Sequence, residues 1–177
     1  RDAPKDRPFF YVWNTLLTHE SRIWERSNQP LTVNPEDIII PSYFPDIPEV
    51  RNDIARKYSN IEAMDKKVGE LISQLEEDGL LENTIIMFWS DHGGNLLRQK
   101  RAVGNSGLNV PLIIRYPNKM DAGKVDNRIV SLMDLGPTVL SLLNIDPPKH
   151  YDGKAIAGQY EDGPRKYAFG TADRFDE

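Results

Sequence analysis

The chain has 177 residues, of which 39% are hydrophobic and 28% charged, enough for one ordinary soluble domain with a core of its own. A formal net charge of −5 argues against a nucleic-acid binder, which needs a basic surface to meet phosphates, and no apolar run is long enough to span a bilayer. The absence of cysteine excludes disulfides and thiolate chemistry and leaves the redox compartment unread, while thirteen prolines predict long, irregular connections.

Residues 1–8 are charged and proline-bounded and read as a tail or linker without a signal-peptide pattern. Residues 9–16 (Phe-Phe-Tyr-Val-Trp-Asn-Thr-Leu) are rich in aromatic and apolar types and predict a buried strand. His19 follows directly on it, either as a hydrogen-bonded loop histidine or as part of a site. Residues 29–48 hold five prolines around Ile38, Ile39 and Ile40. They predict a long ordered loop with one short extended piece. A loop of this length either faces a substrate or wraps the surface.

The clearest helix follows. Ile54, Tyr58, Ile61, Met64, Val68, Leu71, Ile72 and Leu75 recur at three- and four-residue steps, with Arg56, Lys57, Lys66, Lys67, Glu70, Glu76 and Glu77 opposite and Gly79 as the stop. A long helix between two strands is the mark of a βαβ crossover. The second strand is predicted at residues 85–89 (Ile-Ile-Met-Phe-Trp), a continuous apolar run of the kind buried on both faces in a parallel sheet. It stops at Ser90, Asp91, His92, Gly93 and Gly94. In an open α/β sheet, ligands bind beyond the carboxyl ends of the strands. A carboxylate and an imidazole side by side there can address one bound group, while the glycines permit a sharp turn and close approach.

Arg98, Lys100 and Arg101 bring three cations into the next loop, which suits an anionic substrate. Residues 110–116 predict a further strand with Pro111 near its start, and 117–127 a turn-rich loop. Residues 129–143 predict an extended piece and then a helix with Leu135, Val139, Leu142 and Leu143 inward, ended by Pro147 and Pro148. Residues 153–177 are glycine-rich and polar with a strand expected at 167–169. His150 reads as structural or exposed. The chain carries no repeat, no low-complexity segment and no GxSxG, phosphate-cradling glycine loop, HExxH or GxGxxG pattern. The expected fold class is α/β, a mostly parallel sheet flanked by helices.

Several stretches, in order, carry a family resemblance: Ser-Asp-His-Gly-Gly at 90–94, Arg-Gln-Lys-Arg at 98–101, Val-Pro-Leu-Ile-Ile-Arg-Tyr-Pro at 110–117, the helix at 130–140, the helix at 58–69, Thr-His-Glu-Ser-Arg-Ile-Trp at 18–24, and the final residues 167–177. Together they resemble the C-terminal part of the catalytic domain of a sulfatase, in the alkaline phosphatase superfamily. The 98–101 variant is most similar to bacterial sulfatases of the heparan N-sulfatase (sulfamidase) type.

The resemblance implies roles residue by residue. Asp91 would ligate a divalent cation, Ca2+ first and Mn2+ or Mg2+ as alternatives. His92 occupies a neighbouring metal position that is Asn in many sulfatases, and its softer nitrogen could favour a transition metal such as Mn2+. Lys100, eleven residues before Pro111, matches the lysine that contacts the sulfate. His19 would hydrogen-bond the leaving oxygen or nitrogen and act as general acid. Arg98 and Arg101 would belong to the wider substrate site. The formylglycine of this family arises in a C/S-x-P-x-R segment that does not occur in these residues, and the upstream aspartate pair of the metal site is also absent. The implied picture is therefore a partial sulfatase catalytic domain over residues 1–177, lacking the nucleophile-bearing half and a C-terminal subdomain, and inactive alone. Its partners would be that half and a sulfated small molecule or glycan, with neither nucleic acid nor membrane span. The location would be periplasmic or secreted. A phosphoester or phosphodiester hydrolase of the same superfamily and a non-catalytic sulfatase-like binding domain are the alternatives. An incomplete sheet would also leave strand edges and apolar faces open.

Overall fold

A computed structural model describes residues 6–171; the remainder of the 1–8 tail and the end of the 167–177 stretch lie outside the described residues. The chain divides into two units. The first runs as far as Glu82 and includes Gly94–Leu97; the second comprises Asn83–Gly93 and the chain from Arg98 onward.

The first unit is built on one helix. A short turn, α1 (Arg22–Glu25), precedes it, and α2 (Pro48–Glu77) runs for 30 residues. Pro48 sits at the first turn, where its missing N–H costs nothing and its fixed φ already suits a helix. The helix therefore starts six residues before the first periodic apolar residue, Ile54. Its end is the one predicted. Gly79 takes φ 70°, its N–H donates to the Glu76 carbonyl at 2.9 Å, and the Leu80 N–H reaches back to Leu75 at 2.8 Å, a Schellman pair that satisfies two end carbonyls.

The loop after α1 is ordered and packs on the N-terminal half of α2. Ile38, Ile54 and Ala55 form the core, with Leu31, Val33, Ile40, Val50 and Leu96 against them. Polar groups on α2 fasten the loop backbone. The Ser59 hydroxyl accepts the N–H groups of Thr32 and Val33 at 3.1 and 3.2 Å while donating to the Ala55 carbonyl at 2.8 Å. The buried Arg56 guanidinium donates to the carbonyls of Ser27, Gln29 and Pro30. Arg51 forks onto Asp46 at 2.6 and 2.8 Å and also reaches the Pro35 carbonyl. The short piece within the loop is a 3-10 turn, Pro35–Asp37, capped by Asn34. Of the two readings open for this loop, the wrap over α2 is the one these bonds describe.

The second unit holds β1 (Ile86–Trp89) and β2 (Leu112–Arg115), paired antiparallel with Ile86 opposite Arg115 and Trp89 opposite Leu112. This corrects three expectations. The sheet found among the described residues is antiparallel rather than mostly parallel, β1 is only half-buried rather than covered on both faces, and residues 9–16 are not in a ladder. A strand is defined by its neighbours: β1 found β2, whereas 9–16 has no ladder partner among the described residues and leaves Phe10, Tyr11 and Leu16 exposed. The βαβ crossover consequently does not form within them. The coarse class, helices with a β-sheet, stands. Residues 167–169 are not a strand either; the nearest pairing is a single bridge between Ile129 and Arg165.

α3 (Leu135–Leu142) follows a 3-10 turn, Leu132–Asp134, that opens with a capping box between Ser131 and Asp134. Its buried face is not the one expected. Leu135, Val139 and Leu142 are half-buried and Leu143 is exposed, whereas Asp134, Thr138 and Ser141, spaced one and two turns apart, are fully buried. The returning segment 152–165 supplies the reason. Asp134 accepts N–H bonds from Ser131 and Lys154 at 2.9 and 2.8 Å and pairs with Arg165. The Thr138 hydroxyl accepts the Ile156 N–H at 3.1 Å, and the Ser141 hydroxyl the Tyr160 N–H at 2.8 Å. Gly153 and Gly158 come so close that a Cβ would lie 2.0 Å from the Met133 carbonyl oxygen or 2.5 Å from Ser141 backbone. A polar stripe can therefore be the inner one because every group on it has a partner. An asparagine, Asn118, and a small turn in positive φ carry the 117–127 loop as expected.

Candidate active site

β1 delivers Asp91 and His92 to the end of the strand, and the turn that follows is closed locally. The Ser90 hydroxyl donates to the His92 carbonyl at 2.8 Å. The ring Nδ1 of His92 lies 2.8 Å from the Gly93 carbonyl oxygen. A carbonyl only accepts, so Nδ1 donates, and in the neutral form of the ring the lone pair is on Nε2. That nitrogen sits 3.5 Å from Asp91 Oδ2. The two side chains thus present an imidazole lone pair and a carboxylate together, with Asp91 83% exposed and His92 41% exposed.

Two glycines fasten this turn to the cationic loop. The Gly93 N–H donates to the Gly107 carbonyl at 2.8 Å. A Cβ on Gly93 would lie 2.0 Å from the Ser106 carbonyl oxygen, and one on Gly107 would lie 2.0 Å from that of Ala102 and 2.5 Å from that of Gln99. Backbone meets backbone here, so neither position has room for a side chain. The loop is folded by a turn from Gln99 to Ala102, closed by an N–H bond of 3.1 Å, with Lys100 and Arg101 at its tip. Ser106 donates its hydroxyl to the Arg98 carbonyl. Arg98 and Arg101 adopt φ of 62° and 66°, a left-handed conformation that costs a side-chain-bearing residue energy and that concentrates at sites where geometry matters more than comfort. The two flank the tight stretch that holds Lys100. The structure therefore brings Asp91, His92, Arg98, Lys100 and Arg101 onto one fastened pair of loops.

His19 belongs to the first unit. It sits in a turn in which its own N–H donates to Leu16 at 3.1 Å and its carbonyl accepts the Arg22 N–H at 2.9 Å. Asn95, from the stretch just past the two glycines, donates its amide to the Thr18 carbonyl at 3.5 Å, and its buried Oδ1 has no protein partner.

A sequence model of the sulfatase family matches residues 1–145. The chain belongs to the sulfatase family. It is 37% identical to an ulvan-active sulfatase of Formosa agariphila, a match covering 99% of the chain and 35% of that protein. It is 31% identical to the N-sulphoglucosamine sulphohydrolase of Homo sapiens, over 68% of the chain and 24% of that protein. An N-acetylglucosamine-6-O-sulfatase of Bacteroides thetaiotaomicron is 35% identical over 53% of the chain. The chain thus spans 35% of the length of the first of these relatives and less of the others.

For a sulfatase, the donor set at the end of β1 is chemically suited to a divalent cation. Asp91 offers a hard carboxylate and His92 a lone pair already turned outward by its bond to Gly93, the arrangement in which a second partner fixes the tautomer of a metal-ligating imidazole. Two donors are an edge of a coordination shell, and no group of three or more such residues occurs among the described residues. The sequence reading did not single out Asn95, Ser106 or Gly107. Gly107 was recoverable in principle from its place in the Gly-Asn-Ser-Gly run at 104–107. The others act through backbone contacts that leave no spacing signature.

Proposed function

We propose that this chain supplies part of the catalytic site of a sulfatase, a hydrolase of sulfuric esters or sulfamates, with a sulfated glycan as substrate. The single observation that carries the reading is the fastening of the Asp91–His92 turn to the Lys100 loop through Gly93 and Gly107. It joins the Asp91–His92 turn to the loop that carries Lys100, which supports a reading in which a sulfate group shares its charge between a metal and a lysine. Asp91 and His92 would hold the cation, Ca2+ by the preference of a carboxylate and Mn2+ or Mg2+ as alternatives, and it would supply positive charge to the sulfate oxygens. Lys100 neutralises a further oxygen. Arg98 and Arg101 contact the substrate beyond the sulfate. His19 meets the leaving oxygen or nitrogen. The formylglycine nucleophile and the remaining metal ligands are expected in the part of the relatives' length that this chain does not span, in a protein exported to the periplasm or secreted. The named activities of the relatives, on ulvan, N-sulphoglucosamine and N-acetylglucosamine 6-sulfate groups, favour a glycan over a simple aryl sulfate as the natural substrate.

The test is hydrolysis by the protein expressed at full length. We expect release of sulfate from an aryl sulfate and from a sulfated glucosamine, lost on chelation and restored by Ca2+ or Mn2+. Release of phosphate from an aryl phosphate with sulfate esters untouched would sink the reading in favour of a phosphoester hydrolase.

A further inference from the structure

We infer that Asn60 and Asn95 are positioning residues that set the turn carrying His19, an inference that rests on the reading of His19 at the leaving atom given above. The two amides take hold of the backbone on either side of the histidine. Asn60 Nδ2 donates to the Arg22 carbonyl at 3.3 Å, and Asn95 Nδ2 donates to the Thr18 carbonyl at 3.5 Å. Arg22 relays the first grip inward, because its own N–H donates to the His19 carbonyl at 2.9 Å. The His19 N–H donates in turn to the Leu16 carbonyl at 3.1 Å. Both flanks of His19 are thus held from outside the turn.

Both grips come from anchored parts of the unit that contains His19. Asn60 is 1% exposed and lies on α2, where Arg56, Ser59 and Asn60 follow the i, i+3, i+4 spacing and so share one face of the helix. Arg56 and Ser59 fasten the backbone at residues 27–33, and Asn60 extends that fastening to Arg22. Asn95 belongs to the Gly94–Leu97 stretch, which is pinned by Leu96 packing against the core of Ile38, Ile54 and Ala55. The His19 side chain is exposed and meets only Ser21 beside it, so its place is set by its backbone.

The two asparagines are costly choices for these places. The Oδ1 of each is buried with no protein partner among the described residues, and a buried acceptor left unpaired is unfavourable. An apolar side chain at either position would carry no such cost. What an asparagine adds is its N–H, and both N–H groups go to the one turn that carries His19. A cost concentrated where two side chains meet one turn marks geometry kept for chemistry rather than for packing. The chemistry is sensitive to that geometry: a group serving a leaving atom has to come within hydrogen-bond reach of it, and a misplacement of about 1 Å costs about 100-fold.

The test uses the full-length protein and a series of aryl sulfates of graded leaving-group strength, with the unfolding temperature of each variant measured alongside. Help at the leaving atom matters most where the leaving group is poor, so a displaced His19 shows there first. His19→Ala is expected to lose about 100-fold on poor leaving groups and little on good ones. Asn60→Ala and Asn95→Ala are each expected to lose about tenfold in kcat on the poor ones, with KM within about twofold. Combined with His19→Ala, neither should lose more, because the histidine it positions is gone. A merely structural role would lower activity by one factor on every substrate and would add to the His19→Ala loss. That pattern, or full activity in both asparagine variants beside an impaired His19→Ala, would overturn this inference alone. Should Asn60→Ala fail to fold, Asn95→Ala, at a partly exposed position, decides by the same two readouts. If His19→Ala keeps full activity on every leaving group, the reading of His19 at the leaving atom itself fails, and this inference with it.

Discussion

Asp134 and Asp91 are both aspartates beside the end of a regular element, and they are held in opposite ways. Asp134 is fully buried, with N–H bonds from Ser131 and Lys154 and the Arg165 guanidinium on its carboxylate. Burial pushes its pKa up, but the Arg165 hydrogen bond and the two backbone N–H groups outweigh that and hold it below the ordinary carboxylate range. Asp91 is mostly exposed, and the imidazole next to it lies 3.5 Å away. The contrast separates structure from chemistry. A carboxylate saturated by the protein has no capacity left for a ligand, while one supported only at its backbone keeps that capacity open.

The sharpest way to break the comparison is to remove each carboxylate in turn. Asp134→Ala strands Arg165 and two backbone donors, and should cost about 3–5 kcal/mol in thermal unfolding, the usual loss when one partner of a buried pair is deleted. Asp91→Ala should leave stability within about 0.5 kcal/mol, as exposed substitutions do, yet abolish metal-dependent sulfate release. Equal stability losses in the two variants would contradict the division of labour. Lys100→Ala comes next: a fall in turnover of about 100- to 1,000-fold, the scale of one lost charge-stabilising donor, with an unchanged melting temperature. Gly93→Ala probes the support shared by both loops. Its Cβ would lie 2.0 Å from the Ser106 oxygen, so the backbone has to shift, at a cost of about 1–3 kcal/mol and with weaker binding of Ca2+ by calorimetry; an unchanged metal affinity would mean that the two loops are not mechanically joined.

The smallest effect is a pH dependence. The folded-state pKa of Asp134 lies below the unfolded one, so its ion pair contributes fully above about pH 4 and its stabilisation fades as pH falls through the folded value. Acid unfolding followed by circular dichroism should be steeper in the wild type than in Asp134→Asn, which has no carboxylate to titrate. Parallel acid limbs would show that other carboxylates set the response.

The candidate site was legible in the residues to the extent that local order carries it. Asp91 and His92 are adjacent in the chain and need only a strand to end there; Arg98, Lys100 and Arg101 fall in one loop by count. The bond from His92 Nδ1 to Gly93, the left-handed φ of the two arginines and the clasp of Gly93 on Gly107 were not legible, because they depend on which backbone atoms meet across fourteen residues.

The same division runs through the fold. The sequence by itself determined α2 and its end, because three- and four-residue periodicity, Pro48 and Gly79 act within one or two turns of the chain. It determined that residues 86–89 and 112–115 are extended, because β-branched and aromatic side chains favour that backbone. Only the tertiary structure decided that the two strands pair antiparallel and that residues 9–16 stay out of the ladder, since hydrogen-bond partners come from distant chain. It also decided that Asp134 and, on α3, Thr138 and Ser141 are buried rather than the leucines beside them: burial of a polar group is favourable only where it finds a partner, and residues 152–165 bring one to each of the three.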